Sequence, residues 1–191
     1  MPNLIKHEPL PEGVIHLLNF NVDRFVQVSN EAFSDSILIS EVFISWDKEL
    51  QGVAIKLDKD PTINIHGFFS KLEEIQAHKD RIVSILTQAL AIKAQWESYF
   101  VTADKFLKQA KSQLSSLEEV SGKKNKELQE ALMYSKFPPV FDFYTFCDST
   151  LSWIKTMILI FDKRLDLIDS ANLNLNRQIN VTELLSTRGL I

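Results

Sequence analysis

Residues 72–117 read LEEIQAHKDRIVSILTQALAIKAQWESYFVTADKFLKQAKSQLSSL, and this stretch decides the fold. Starting at Leu72, steps of alternately three and four residues meet apolar side chains at almost every position. Only Lys79 and Lys93 break the pattern, and no Gly or Pro interrupts residues 70–121. This heptad spacing indicates a long helix that packs lengthwise against another helix. The residues that we predict to make this contact are Leu72, Ile75, Ile82, Leu86, Trp96, Phe100, Leu107 and Leu114.

A second stretch has the same spacing and begins at Pro138-Pro139, where proline suits the first turn of a helix. Its predicted packing residues are Leu151, Ile154, Ile158, Phe161, Leu165 and Ile168. Asn172 continues this line as a polar residue. At a core heptad position an asparagine sets register at some cost in stability. Alternatively, Asn172 faces solvent as the helix drifts against the heptad repeat.

The helix ends carry recognisable signals. Ser70 and Glu73 form a capping-box pattern, and Ser121-Gly122 predicts an end with Gly122 as a left-handed cap. We therefore expect one helix at about residues 70–120, a connector at 121–139 containing one or two helical turns, and a second helix at about 140–180. Rods of similar length joined by a connector are expected to fold back on each other. Residues 67–191 thus form a long antiparallel helical hairpin.

The N-terminal segment, residues 1–66, is harder to assign from its pattern. Prolines at positions 2, 9 and 11 predict an extended arm over residues 1–13. Residues 14–32 and 33–57 have apolar spacing that fits either helix or strand, and we interpret both as helices because nothing else in the chain supplies partner strands. The predicted fold class is therefore all-α: an elongated, coiled-coil-like helical bundle with an N-terminal helical segment.

Composition narrows the class of protein. Five Gly and six Pro among 191 residues leave few turns, which argues against sandwiches, barrels and doubly wound sheets. The net charge of −4 lacks the basic excess typical of nucleic-acid-binding proteins. Cys147 is the only cysteine, which excludes an internal disulfide and fits a reducing compartment. The first residues do not form a secretory signal, so we expect a cytoplasmic protein, with export without a cleaved signal as the alternative.

The titratable residues do not form a catalytic or metal-binding pattern. His7, His16, His66 and His78 lack ligand spacing. Asp162, Asp166 and Asp169 share a helix face with Lys163 and Arg164, which is typical of a solvated surface. Cys147 falls on the apolar line, where a buried inert thiol is expected. We therefore predict a protein that is not an enzyme, with no catalytic residue, metal, cofactor or small-molecule substrate.

An aromatic cluster marks the connector and the start of the second helix. In a hairpin it would lie at the tip, where apolar side chains need cover from the N-terminal segment, another subunit or a membrane. A hydrophobic plug that closes the end of the hairpin is the favoured interpretation, and a partner surface is the alternative. The candidate tip residues are Met133, Tyr134, Phe137, Phe141 and Phe143.

Three functions are compatible with this sequence. The first is self-assembly or binding of a protein partner along coiled-coil surfaces. The second is membrane activity, because long helices with an aromatic hairpin tip look like the helical pore-forming toxins, a likeness of architecture without a residue motif. The third is contact with single-stranded DNA. FCDSTLSWIKTMILIFDKRLDLIDSANLNLNRQI, residues 146–179, is similar to the closing helix of phage recombination-mediator proteins. It departs from them in its longer second helix and acidic N-terminal third. We expect the first function.

Overall fold

The computed structural model describes residues 21–51 and 65–188, and the side chains of residues 65–69 are not described. The described part of the chain is an all-α helical bundle and contains no strand. Its helices are α1 (Val22–Gln51), α2 (Ile65–Leu114), α3 (Glu118–Ser121), α4 (Lys126–Lys136) and α5 (Pro138–Thr187). The predicted fold class is therefore confirmed. The elongated form remains a prediction, and the predicted arm at 1–13 lies outside the described residues.

The N-terminal segment forms one long helix where the sequence predicted two. Asn21 begins it, because its side-chain oxygen accepts a hydrogen bond from the Arg24 amide at 2.9 Å. The buried positions then follow a single helical repeat from Phe25 to Leu50. No Gly or Pro lies between residues 32 and 33, so nothing in the chain chemistry separates the two predicted helices. The predicted ends at residues 14 and 57 lie outside the described residues.

The ends of α2 differ from the predicted ones. The helix begins at Ile65, so Ser70 and Glu73 lie inside it and the capping box is not used. It ends at Leu114, since residues 115–117 form a turn before the short helix α3. Gly122 follows α3 with φ −70° and ψ −10°, which is right-handed backbone. The prediction of a left-handed glycine cap was therefore wrong, because the long helix already ends in the turn at residues 115–117, five to seven residues before the glycine.

The connector is more helical than predicted. Asn125 begins α4 by accepting a hydrogen bond from the Glu127 amide at 2.9 Å, and the helix runs for 11 residues. Phe137 alone separates α4 from α5, and its side chain is fully buried. Pro138 occupies the first position of α5, where its missing N–H costs no intrahelical hydrogen bond. α5 continues to Thr187, beyond the predicted end near residue 180.

The chain divides into two compact units, and α1, α2 and α5 each contribute a stretch to both. Unit 1 comprises residues 1–39 and 92–154, and unit 2 comprises residues 40–91 and 155–191. The division predicted between residues 66 and 67 stays a prediction. Heptad positions repeat along the whole length of each of the three long helices. Each unit can therefore build its core from stretches of all three helices.

In unit 1, the ring contacts give the directions of the helices. Trp96 meets Phe146, with ring centroids 5.9 Å apart, and Phe100 meets Tyr144 at 5.3 Å. Advancing along α2 thus means going back along α5, so these two stretches run antiparallel, as the hairpin prediction requires. Phe25 of α1 contacts the ring of Phe106 at 5.4 Å and joins both helices in one core.

In unit 2, α1 and α5 share an aromatic core. The ring of Phe161 stacks on Phe43 at 5.9 Å and meets Trp46 edge-on at 6.4 Å. One turn further along both helices, Arg164 donates a hydrogen bond to Asp47 at 2.7 Å. The two stretches therefore run parallel here. Apolar rings form the interior and charged side chains lie at its margin, which is the usual distribution at a helix contact.

Candidate interaction surfaces

The predicted packing residues of α2 and α5 are buried or half-buried, and none is exposed. The half-buried ones are Leu72, Leu86, Phe100, Ile158 and Leu165. The buried ones are Ile75, Ile82, Trp96, Leu107, Leu114, Leu151, Ile154, Phe161 and Ile168. On α5 the buried positions recur every seventh residue from Cys147 to Thr182. The buried members of this set pack within the chain, and the half-buried members lie at the edge of the same core.

The polar residues at heptad positions lie at the margin of the core. Lys79 is half-buried, and its ammonium group donates a hydrogen bond to Asp169 at 2.6 Å. Lys93 is paired with Glu97 one turn later on the same helix, at 3.2 Å. Both lysines therefore place a carbon stem against the core and a paired charge at its edge.

Asn172, the predicted register-setting residue, is half-buried. Its amide oxygen accepts a hydrogen bond from Asn176 on the same helix at 3.2 Å. A contact within one helix does not choose a register between helices. The register role of Asn172 therefore stays a prediction.

The aromatic cluster predicted at the hairpin tip is largely internal to unit 1. Met133, Phe137 and Phe143 are buried, Phe141 is half-buried and Tyr134 is exposed. Phe25, near the start of α1, covers the cluster: its ring lies 5.7 Å from Phe143 and 6.4 Å from Phe137. This is the geometry of the hydrophobic plug, with cover supplied by the N-terminal segment. Three of the five candidate tip residues are thus occupied by contacts within the chain.

The edge of this cluster is polar. Tyr134 donates a hydrogen bond from its hydroxyl to Asp142 at 3.1 Å, and the hydrogen bond to that carboxylate raises the pKa of Tyr134. The ammonium group of Lys111 lies 5.6 Å from the centre of the Phe141 ring and also contacts Glu130 at 3.1 Å. The rings that reach the surface therefore already have polar partners from α2 and α5.

A polar group that sequence analysis missed lies beside the unit 1 core. Asp35 accepts hydrogen bonds from the hydroxyl of Tyr99 and the amide nitrogen of Gln95, both at 2.7 Å. Burial raises the pKa of Tyr99, and the hydrogen bond to Asp35 raises it further. Asp35 is three residues after the buried Ala32, at the edge of the apolar stripe of α1. This position was the one feature of the sequence that could have indicated a polar contact here. The group links α1 to α2.

Trp96, next to this group, has an unusual environment. The side chain is fully buried between Tyr99 and Phe146, with ring contacts of 5.4 and 5.9 Å. Its indole N–H is buried and has no hydrogen-bond partner in the described part of the chain. An unpaired buried donor is costly, since it gives up water without a replacement. The residue therefore carries a cost that a phenylalanine would not.

Cys147 lies in the unit 1 core and is fully buried. Burial raises the pKa of its thiol to about 12. The thiol stays protonated near neutral pH, where only a thiolate would be an effective nucleophile. This environment agrees with the inert cysteine that the sequence analysis expected.

In unit 2, two ion pairs connect α1 to its neighbours. Arg81 of α2 donates two hydrogen bonds to the carboxylate of Glu49, at 2.6 and 2.8 Å. The hydrogen bond from Arg81 lowers the pKa of Glu49. Arg164 of α5 bonds to Asp47 at 2.7 Å, and both side chains are about one quarter exposed. Sequence spacing could not reveal these pairs, because each joins residues far apart along the chain.

The largest set of exposed apolar residues lies on α5 in unit 2. Leu167 is 70% exposed, which is the highest value among the large exposed apolar residues. The set, which we call the α5 outer stripe, comprises Leu159, Ile160, Leu167, Leu173, Val181 and Leu184. These residues lie on the exposed side of α5, with Ile160, Leu167 and Val181 on one flank and Leu159 and Leu173 on the other. Sequence analysis took this face for a solvated one, because charged residues are interspersed among the leucines.

Asp162, Asp166 and Asp169, which sequence analysis placed on a charged face, have different surroundings. Asp169 pairs with Lys79, whereas Asp162 and Asp166 are exposed and form no ion pair with another described residue. Over residues 21–51 and 65–188, no group of three or more metal-ligating side chains could hold a metal ion. No helix in the same ranges is both long and apolar enough to cross a bilayer.

Comparison of the chain with protein-family models, with curated proteins and with solved structures found no match.

Proposed function

We propose that this protein acts without catalysis, by binding another helical protein surface or a second copy of itself along an exposed helix face. The observation that carries the proposal is the α5 outer stripe. Leu167, Leu173 and Leu184 are all more than half exposed although they belong to a helix whose opposite side is well packed. Several large apolar side chains exposed along one side of a helix are a feature of surfaces that bind other proteins.

The form of α5 supports this choice of partner. A helix with apolar residues on two opposite sides is suited to packing between helices, as in helix-in-groove recognition and in coiled coils. The inner side of α5 is occupied by Phe161, Ile168 and Leu175, which are buried. The outer side carries exposed residues from Leu159 to Leu184, and in this proposal it meets a second helix.

A photo-crosslinking experiment tests the proposal. A benzophenone amino acid replaces Leu167 in the full chain, and the matched control carries it at Glu73, an exposed polar position on α2. We expect adducts from position 167, in pure protein or in the producing cells, that map to a helix of one identified protein or of a second copy. We also expect Leu167→Ser to reduce binding by that partner.

The opposite result would be just as clear. Equal labelling from both positions, or no protein adduct from position 167 in cells and in pure protein, would contradict binding through the α5 outer stripe. Circular dichroism melts of both labelled proteins serve as the folding control, since neither side chain contributes to a core.

The two other functions remain alternatives with their own tests. A membrane-active tip would require Phe137 and Phe143 to leave their contacts with Phe25, and dye leakage from liposomes measures that activity. DNA binding would have to use exposed cations such as Arg177, and a filter-binding titration with single-stranded DNA across salt concentrations measures it, since phosphate contacts are salt-dependent.

A further inference from the structure

The outer side of α5 carries a second heptad line, distinct from the buried one. From Leu159, steps of alternately four and three residues meet eight side chains, and all of them are exposed. In order, the outer heptad line is Leu159, Lys163, Asp166, Ser170, Leu173, Arg177, Asn180 and Leu184. Residues at this spacing share one face of a helix and can meet a partner helix along their whole length. The line lies entirely within unit 2.

The charges on this line are arranged unevenly. Asp166 lies in its first half and Arg177 in its second half, and neither forms an ion pair with another described residue. Lys163 is likewise exposed without an ion-pair partner in residues 21–51 and 65–188. A helix that packed here would have to supply an anion opposite Arg177 and a cation opposite Asp166.

We infer that a second copy of this chain binds this side of α5, with the two α5 helices packed antiparallel through the outer heptad line, which contains Leu159, Leu173 and Leu184 of the α5 outer stripe and is flanked by Leu167. This inference rests on the proposed function and specifies its partner. In the antiparallel arrangement that centres between Ser170 and Leu173, Asp166 of each copy lies opposite Arg177 of the other. Opposite charges that face each other across two packed helices favour that arrangement over one in which like charges meet.

The remaining positions fit the same arrangement. Leu159 lies opposite Leu184, Ser170 lies opposite Leu173, and the third combination places the ammonium group of Lys163 opposite the amide of Asn180. The eight residues thus form four combinations, each made twice by the two-fold symmetry of a homodimer. No like charges meet in any of them.

Other arrangements of two copies are less favourable. Parallel, in-register packing would place Lys163, Asp166 and Arg177 each against its own copy, and like charges that face each other are destabilising. Moving the antiparallel arrangement by one heptad would place Leu159 or Leu173 opposite Arg177 and leave Asp166 without a cation. Charge complementarity therefore selects one direction and one register.

The size of the contact predicts a weak dimer. The line from Leu159 to Leu184 spans about 38 Å of helix, and a strip roughly 12 Å wide on each copy gives an area of roughly 900 Å² in total. Stable protein complexes bury about 1,200–2,000 Å². We therefore expect a dimer that dissociates in the micromolar range.

A charge-swap experiment tests the inference. Sedimentation equilibrium of the full chain over a range of protein concentrations up to the high micromolar measures the dissociation constant of such a weak dimer. Asp166→Arg and Arg177→Asp should each weaken dimerisation about tenfold or more, because each places like charges opposite one another twice. The double variant restores both contacts and should return the dissociation constant to within about threefold of wild type.

Glu73→Arg is the matched control, since it makes the same reversal at an exposed position outside the line and should leave dimerisation unchanged. A wild-type chain that is monomeric throughout the range would overturn the inference. The inference would also be overturned if wild type dimerises but the two single variants and the double variant all weaken the dimer equally, or if none of them weakens it. The proposed function is judged separately, since adducts from position 167 to a different protein would support binding but not self-association.

Discussion

Replacing Trp96 by phenylalanine should leave the stability of the protein almost unchanged, although Trp96 is fully buried. The indole makes ring contacts with Tyr99 and Phe146, while its N–H has no partner in the described part of the chain. The substitution therefore removes apolar contact and an unpaired donor together. These two effects have opposite signs.

The magnitudes decide the outcome. Removing the second ring leaves a void on the order of 40 Å³, which costs about 1 kcal/mol at about 24 cal/mol per Å³. The lost apolar area costs about 1 kcal/mol more. Removing a buried unpaired donor regains about 1–3 kcal/mol. We therefore expect Trp96→Phe to change the free energy of unfolding by less than about 1 kcal/mol.

Trp46→Phe is the matched control for this prediction. Trp46 is also buried and contacts Phe43 and Phe161, but its indole N–H is not an unpaired buried group. The control loses contact without removing a defect, so it should be the more destabilising by about 1–3 kcal/mol. Urea denaturation followed by far-ultraviolet circular dichroism measures both. If Trp96→Phe proves as costly as Trp46→Phe, the indole N–H has a partner and the reasoning fails.

Three further predictions concern stability. Ile154→Asp should cost about 4 kcal/mol or more because it buries an unpaired charge, whereas Leu167→Asp at an exposed position should leave the thermal midpoint unchanged. Tyr99→Phe should cost about 0.5–1.5 kcal/mol for the lost hydrogen bond in urea denaturation. In the wild type the pKa of Tyr99 is raised above 10, so the stability that its hydrogen bond contributes is lost as pH rises through that pKa. Ultraviolet absorbance of the phenolate follows this titration. Arg81 lowers the pKa of Glu49 in the folded protein, so this pair stabilises the fold above pH 4.5, the ordinary pKa of the side chain. The stabilisation is lost as pH falls through the lowered pKa, and Glu49→Gln should remove this acid dependence. Its size stays below about 1 kcal/mol because the pair is exposed.

The long helices were predictable because one physical signal governs them over their whole length. Burial of a helix face repeats every three to four residues, and residues such as Ile75, Ile82, Ile154 and Phe161 follow that repeat without interruption. Even the lysines at positions 79 and 93 fit, since a long side chain can cover apolar surface and still reach a charged partner.

The helix ends were less predictable because local signals compete there. Ser70 and Glu73 have capping-box spacing, but the helix begins before them at Ile65. Asn125, whose side chain begins α4, is one polar residue among several in the connector. A cap contributes only about 1 kcal/mol, so packing of the apolar face can move a helix end past a local signal.

Contacts between distant residues were not predictable from spacing at all. Asp35 with Tyr99, and Glu49 with Arg81, depend on which helices are neighbours and in which direction they run. The aromatic plug shows the same limit. The composition showed that the aromatic cluster needs cover. Only the packing of α1 against α5 shows that Phe25 provides this cover.

The outer heptad line of α5 was not identified from the sequence because its composition is mixed. A heptad pattern is recognised by its apolar residues, and on this line Lys163, Asp166 and Arg177 interrupt the leucines. A helix contact that forms and dissociates reversibly cannot be wholly apolar, because an exposed leucine line of this length would aggregate. Charges of opposite sign placed about the centre of the line limit non-specific association and select one register. The mixed composition that resembled an ordinary solvated face is therefore what a reversible helix-to-helix interface requires.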